Sequence, residues 1–224
     1  MTRTRQNCSR RWGQALLLIA LACAAGIVNA QASTHLSLSA QLLVGARQND
    51  LALVDRVLAD GAAPNARNRL GKTALLMAAE KGNMALAQRM LDSGADVNLA
   101  SLEGVTPLMA ACYGGHTDLV RRLLAKGART DPLDRMHKPA VIYAAGQGHA
   151  DAIEALLDAG VDVNGVYENQ LTALMWAAGQ GHTQLVQRLV QRGARVDARD
   201  NRGLSAQDMA RREGHAAVVA LLGA

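Results

Sequence analysis

The chain has 224 residues with 24 Lys and Arg against 19 Asp and Glu, a formal net charge of +5, and aromatic residues make up 2% of it with no phenylalanine. Four of the arginines, Arg3, Arg5, Arg10 and Arg11, fall in residues 1–32, which contain no acid, so without that segment the balance becomes 20 against 19, about +1. A near-neutral chain lacks the basic footprint that nucleic-acid binding requires, which excludes that class of partner.

Residues 1–32 read as a cleavable secretory signal: the arginines form a positive n-region, Ala15 to Val28 is apolar, and small residues close it at Ala30-Gln31-Ala32. The apolar stretch is shorter than the roughly 20 residues a membrane-spanning helix needs, so cleavage without stable membrane insertion is expected. Arg10-Arg11 after Ser9 hints at a twin-arginine signal, but Gly13 stands where such signals place a large apolar residue. Cys23 as a lipid attachment site is disfavoured by the order of Ala20-Leu21-Ala22. The expected address is periplasmic or secreted. Cys8 and Cys23 leave with the signal, so Cys112 stands alone and forms no internal disulfide.

From there the sequence repeats with a period of 33, carried by Gly61, Gly94, Gly127, Gly160 and Gly193 and by a second series, Gly82, Gly115, Gly148, Gly181 and Gly214. Between them recur Thr73-Ala74-Leu75, Thr106-Pro107-Leu108, Thr172-Ala173-Leu174 and, more loosely, Ser205-Ala206-Gln207. Thr or Ser before Ala or Pro predicts an N-cap and first turn, and the following glycine ends that short helix in a left-handed conformation. A second helix then presents adjacent apolar pairs four apart, such as Leu86, Ala87, Met90 and Leu91, or Leu119, Val120, Leu123 and Leu124. Phrases such as Gly94-Ala95-Asp96-Val97-Asn98 end that helix and open a projecting hairpin, with Asp96, Asp162 and Asp197 serving the turns.

On these motifs residues 36–224 resemble the ankyrin family. The resemblance implies an all-α repeat solenoid, an L-shaped stack of about six 33-residue repeats, each helix-turn-helix plus hairpin loop. The expected division is a signal over 1–32 and one domain over 33–224. Within the domain stand a degenerate N-terminal cap at 36–66, repeats at 67–99, 100–132, 133–165 and 166–198, and a shortened C-terminal cap at 199–224. Capping units are expected where a repeat has one neighbour. The resemblance extends to exported bacterial members, through Thr-Ala-Leu-Met-Trp-Ala-Ala at 172–178. Several positions depart from the pattern. The histidine common after Thr-Pro-Leu is replaced by Leu76, Met109, Ile142 and Met175, so its hydrogen bond is expected to be absent or replaced. Pro139 and His137 stand where Thr and Gly are usual, which predicts a distorted hairpin there, and Gln170 replaces the next hairpin glycine.

Little catalytic chemistry is legible. His116, His149, His182 and His215 form one column, but equivalent residues on stacked helices lie roughly 8 to 10 Å apart, too far to share one metal. By resemblance, they hydrogen-bond the loops. Cys112 as a nucleophile is opposed by its place in an Ala-Ala pair, where apolar burial makes a thiol inert. No Gly-rich phosphate loop, Gly-x-Ser-x-Gly elbow or haem-attachment motif occurs. The expected protein is not an enzyme and needs no cofactor or metal.

What remains is surface. The resemblance places partner-binding residues at the variable hairpin tips and first helices. The candidates are Arg69, Leu70, Lys72, Glu80, Lys81, Leu102, Glu103, Val105, Tyr113, Arg135, Met136, Lys138, Tyr143, Glu168, Asn169, Leu171 and Trp176. Asn201, Arg202, Leu204, Gln147 and Gln180 occupy equivalent variable positions. Tyr143 and Trp176 share one column, and Tyr and Trp are the residues most enriched at binding hot spots, although the column can equally be half-buried packing. The expected function is a monomeric module that binds another protein of the bacterial envelope through its concave face and supports an enzyme there. Two alternatives are an exported effector acting on host proteins and a redox or catalytic protein using Cys112.

Overall fold

A computed structural model describes residues 36–223, and the predicted signal lies outside the described residues. Twelve α-helices follow one another there: α1 (Leu38–Gln48), α2 (Leu51–Ala59), α3 (Ala74–Lys81), α4 (Met84–Asp92), α5 (Pro107–Tyr113), α6 (Thr117–Ala125), α7 (Ala140–Gln147), α8 (Ala150–Asp158), α9 (Ala173–Gly179), α10 (Thr183–Gln191), α11 (Ala206–Arg212) and α12 (Ala216–Leu222). Odd-numbered helices pack on odd-numbered neighbours and on the even-numbered helix that follows each. The result is a stack of helix pairs joined by hairpin loops, an α-helical repeat solenoid.

Local chemistry fixes the ends of these elements. Thr73, Thr106, Thr172 and Ser205 each accept a hydrogen bond from the backbone N–H three residues on, at 3.1 to 3.3 Å. Each satisfies a donor that the first helical turn leaves open. Pro139 begins α7 without a side-chain cap. Helices α2, α4, α6, α8 and α10 end in paired bonds such as Gly61 N–H to Leu58 O and Ala62 N–H to Val57 O, the glycine at φ +92°. That closure consumes carbonyls the helix would otherwise strand.

The core runs through the stack as a strip. Leu75, Leu76, Ala78 and Ala79 of α3, Leu108, Ala111 and Cys112 of α5, Ala144 and Ala145 of α7, and Leu174, Ala177 and Ala178 of α9 are all buried. The small pairs let first helices approach closely. The positions that depart from the family histidine are apolar core. Leu76, Met109, Ile142 and Met175 are buried, and the Met109 sulfur takes over one role by accepting from the Thr106 N–H at 3.4 Å.

Five hairpins project between the pairs. In four of them the first residue, Asn68, Ser101, Asp134 or Asp200, uses its side chain to accept backbone N–H groups inside the loop. One left-handed residue closes each, Gly71, Gly104, His137 or Gly203. The distortion expected around His137 is absent from its own hairpin. His137 adopts φ +53°, and the loop keeps the Asp134 N–H to Lys138 O bond at 3.2 Å and the His137 N–H to Asp134 O bond at 3.0 Å. The departure falls in the next loop. There Tyr167 stands at the Asn/Asp/Ser position with its only side-chain oxygen at the far end of the ring, where it accepts no N–H of its own loop, and the loop turns through a short 3-10 segment, Glu168–Gln170, with Asn169 and Gln170 both left-handed.

Candidate protein-binding face

The odd-numbered helices and the hairpins carry the predicted residues. At the tips Leu70, Leu102 and Met136 are 61%, 59% and 62% exposed, so three apolar side chains face solvent. Arg69, Glu103, Arg135, Glu168 and Asn169 are exposed beside them, whereas Lys72, Val105, Lys138 and Leu171 are half-buried along the inner side of the loops. Ion pairs tie some of this set down: Lys72 to Glu80 at 2.6 Å and Arg135 to Glu103 at 3.0 Å. Lys81 donates to the Arg47 carbonyl.

The aromatics divide by environment. Tyr113 is exposed, and its ring meets that of Tyr143 edge-on, with centroids 6.1 Å apart. Tyr143 is half-buried against the core and donates its hydroxyl to Asp134. Burial, with the Asp134 carboxylate beside it, raises the Tyr143 phenol well above its ordinary value. Trp176 shares the Tyr143 column but has a different neighbour: the Lys138 ammonium lies 4.8 Å from its ring centroid. The column is therefore both packing and surface.

Three clefts open along this face. One of about 360 Å³ is lined by Glu80, Val105, Met109, Ala110, Tyr113 and Tyr143. A second, of about 410 Å³, lies between the Asp134–Lys138 and Tyr167–Leu171 hairpins and reaches Ile142 and Trp176. A third, of about 470 Å³, runs from Leu171 and Trp176 to Arg202, Leu204, Met209 and Arg212. Leu171 and Trp176 form the wall shared by the last two. Sequence reasoning left Ile142 and Arg212 out of this lining. Ile142 reads as framework, and only packing shows that its edge reaches a cleft.

The other sequence candidates are used up inside the fold. The Cys112 thiol is fully buried, and burial pushes it up to about 12. The Nε2 atoms of His149, His182 and His215 lie 3.0 to 3.1 Å from the carbonyls of Tyr113, Gly146 and Gly179. These histidines bind one helix pair to the one before it.

A stack of short helix pairs with projecting hairpins and an open cleft-bearing face defines a repeat-type binding scaffold. The family model for ankyrin repeats matches this chain in three copies, over residues 42–134, 82–166 and 141–224. The chain belongs to the ankyrin-repeat family, whose repeats are generally protein–protein interaction modules and typically non-catalytic. No curated protein matches the chain. Among the described residues no helix is long and apolar enough to cross a membrane.

Proposed function

We propose that this protein is an exported interaction module of the bacterial cell envelope that binds a partner protein through its first-helix and hairpin face and supports an enzyme there. The observation that carries the reading is the row of clefts on that face, walled by Tyr113, Tyr143, Leu171 and Trp176, with Leu70, Leu102 and Met136 exposed at the loop tips. Aromatic and apolar groups of this kind form the energetic centre of protein interfaces, and polar groups around them set register. The export signal supports the location, and the buried Cys112 gives the redox alternative no accessible thiol.

The test is affinity capture from an envelope extract with C-terminally tagged protein and with a Tyr113→Ala, Trp176→Ala double variant. The expected result is one enriched protein that the wild type retains and the variant loses, with thermal unfolding shifted by only a few degrees. Equal retention by a folded variant would remove the aromatic patch from the interface, and failure to enrich any protein would overturn the reading.

A further inference from the structure

The hairpins are joined to one another at three of their four junctions, and each join has two parts. Near the tips, one backbone bond links successive loops: Leu102 N–H to Leu70 O, Arg135 N–H to Glu103 O, and Asn201 N–H to Asn169 O, each 3.0 Å. At the base, an asparagine side chain accepts the next loop's N–H: Asn65 from Asp96, Asn98 from Arg129, and Asn164 from Arg195, each 2.8 Å. Between the loops of residues 128–138 and 161–171 neither bond forms among the described residues. The base position there is Asp131, whose carboxylate is taken by Arg129 at 2.6 Å, and the tip is the altered turn that begins at Tyr167.

The cleft of about 410 Å³ lies at this unjoined seam. Its walls pair apolar surface from Met136, Tyr167, Leu171 and Trp176 with the Lys138 ammonium, which has no carboxylate partner among the described residues and rests on the Trp176 ring. Backbone edges at Met136 and Glu168, which at the other junctions would pair with each other, face no loop partner. Arg212, likewise without an ion pair among the described residues, lines the adjoining cleft beyond Trp176, where Glu213 also lines it. On the second-helix side several arginines are paired across junctions, Arg89 with Asp55, Arg188 with Asp151 and Arg192 with Asp158, although Arg56 and Arg122 there form no ion pair among the described residues.

Resting on the protein-binding reading above, we infer that this seam is the specificity site of the face and that it takes an extended, acidic segment of the partner protein. An apolar side chain of that segment enters between Tyr167 and Trp176, and a neighbouring carboxylate pairs with Lys138. The main chain of an extended segment supplies the hydrogen bonds that adjacent loops exchange elsewhere, which is how sheet edges recruit peptides. The Lys138 ammonium beside the indole favours a carboxylate next to the inserted apolar side chain, while Glu168 on the facing loop lines the same cleft and limits the acidic run to that end, so charge sets the position while the indole supplies contact area.

The experiment selects a displayed random peptide library on immobilised C-terminally tagged protein, then measures the recovered peptides against wild type, Lys138→Glu and Lys138→Gln. Expected peptides are enriched in Asp and Glu next to Leu, Phe or Trp, and their binding weakens with added salt. Lys138→Glu binds them at least about tenfold more weakly, as expected for reversing one charge of a partly desolvated pair, with Lys138→Gln between. Lys138→Gln removes the charge without reversing it, so it preserves the test if Lys138→Glu fails to fold. Recovered peptides without acidic enrichment, or binding indifferent to both Lys138 variants, would overturn the inference and leave the protein-binding reading standing. Recovery of no peptide would overturn it too, and capture from the envelope extract would then decide the broader reading separately.

Discussion

The ring of His149 meets two demands at once. Its Nε2 lies 3.0 Å from the Tyr113 carbonyl, and its Nδ1 side lies so close to Gly115 that a Cβ built there would stand 2.5 Å away. Gly115 is also left-handed, at φ +66°, a conformation that costs an L-residue roughly 1 to 2 kcal/mol. Glycine is therefore required twice, once by its own backbone and once by a ring 34 positions on, and the same pairing recurs for Gly148 with His182 and Gly181 with His215. Gly115→Ala is expected to destabilise the fold by more than the backbone cost alone, by about 3 kcal/mol once the displaced ring is included. His149→Ala should recover part of that loss, because it removes the clash and leaves the backbone cost. Urea unfolding of both single variants and the double variant checks the cycle; strictly additive losses would mean that the ring does not police the glycine. Both members of each pair were visible in the sequence as columns with a common period, but their contact was not, because the period is the same whether the columns touch or not.

The helices are short: α5, α9, α11 and α12 have seven residues each, well below the roughly 12 to 15 at which an isolated helix becomes even marginal in water. They exist because caps close their ends and neighbours cover one face, so inter-element ties count for more here than helix propensity. The asparagine ties are such elements. Asn98 and Asn164 each accept from the next loop and also donate to its glycine carbonyl, Gly127 or Gly193, at 3.1 to 3.2 Å. At the equivalent place Asp131 has no N–H to donate and is held by Arg129, both side chains well exposed. Asp131→Asn is expected to restore the tie to Asp162 and Gly160 and to stabilise the fold by about 1 kcal/mol, since an exposed ion pair contributes little and two new hydrogen bonds contribute more. A lower urea midpoint in the variant would show that the missing tie is not what holds this seam open. The exchange of Asn for Asp was readable at position 131, and its consequence was not. It depends on what the partner loop presents, and that loop lies some thirty residues away.

At the scale of the solenoid, stability of stacked units is close to a sum of each unit and its interfaces, so a weak interface is where the stack opens first. Among the hairpin junctions of the described residues, the one before Tyr167 lacks the cross-loop bonds while its helices stay tied by Arg188 to Asp151 and Arg192 to Asp158, so the weakness there is confined to the loops. Hydrogen exchange should find the N–H groups of Asp162 and Glu168 exchanging faster than their counterparts Asp96, Leu102, Arg129, Arg135, Arg195 and Asn201, which are bonded across their junctions. Uniform protection along all the loops would remove the seam as a distinct feature. The period of 33, the Thr and Ser caps, the left-handed glycines and the buried face of each second helix followed from sequence alone, because each rests on contacts within a few residues or on a repeated pattern. The signal over residues 1–32 was likewise read from composition and rests on that reading. Tertiary structure decided the rest: that His137 takes a glycine's conformation without disturbing its hairpin, that Trp176 receives Lys138 while Tyr143 turns to Tyr113 and Asp134, and that one junction of the loops is left unjoined. Those outcomes are set by pairs of residues roughly a repeat apart, where the energy depends on distance and direction in space, and no local pattern in the chain carries either.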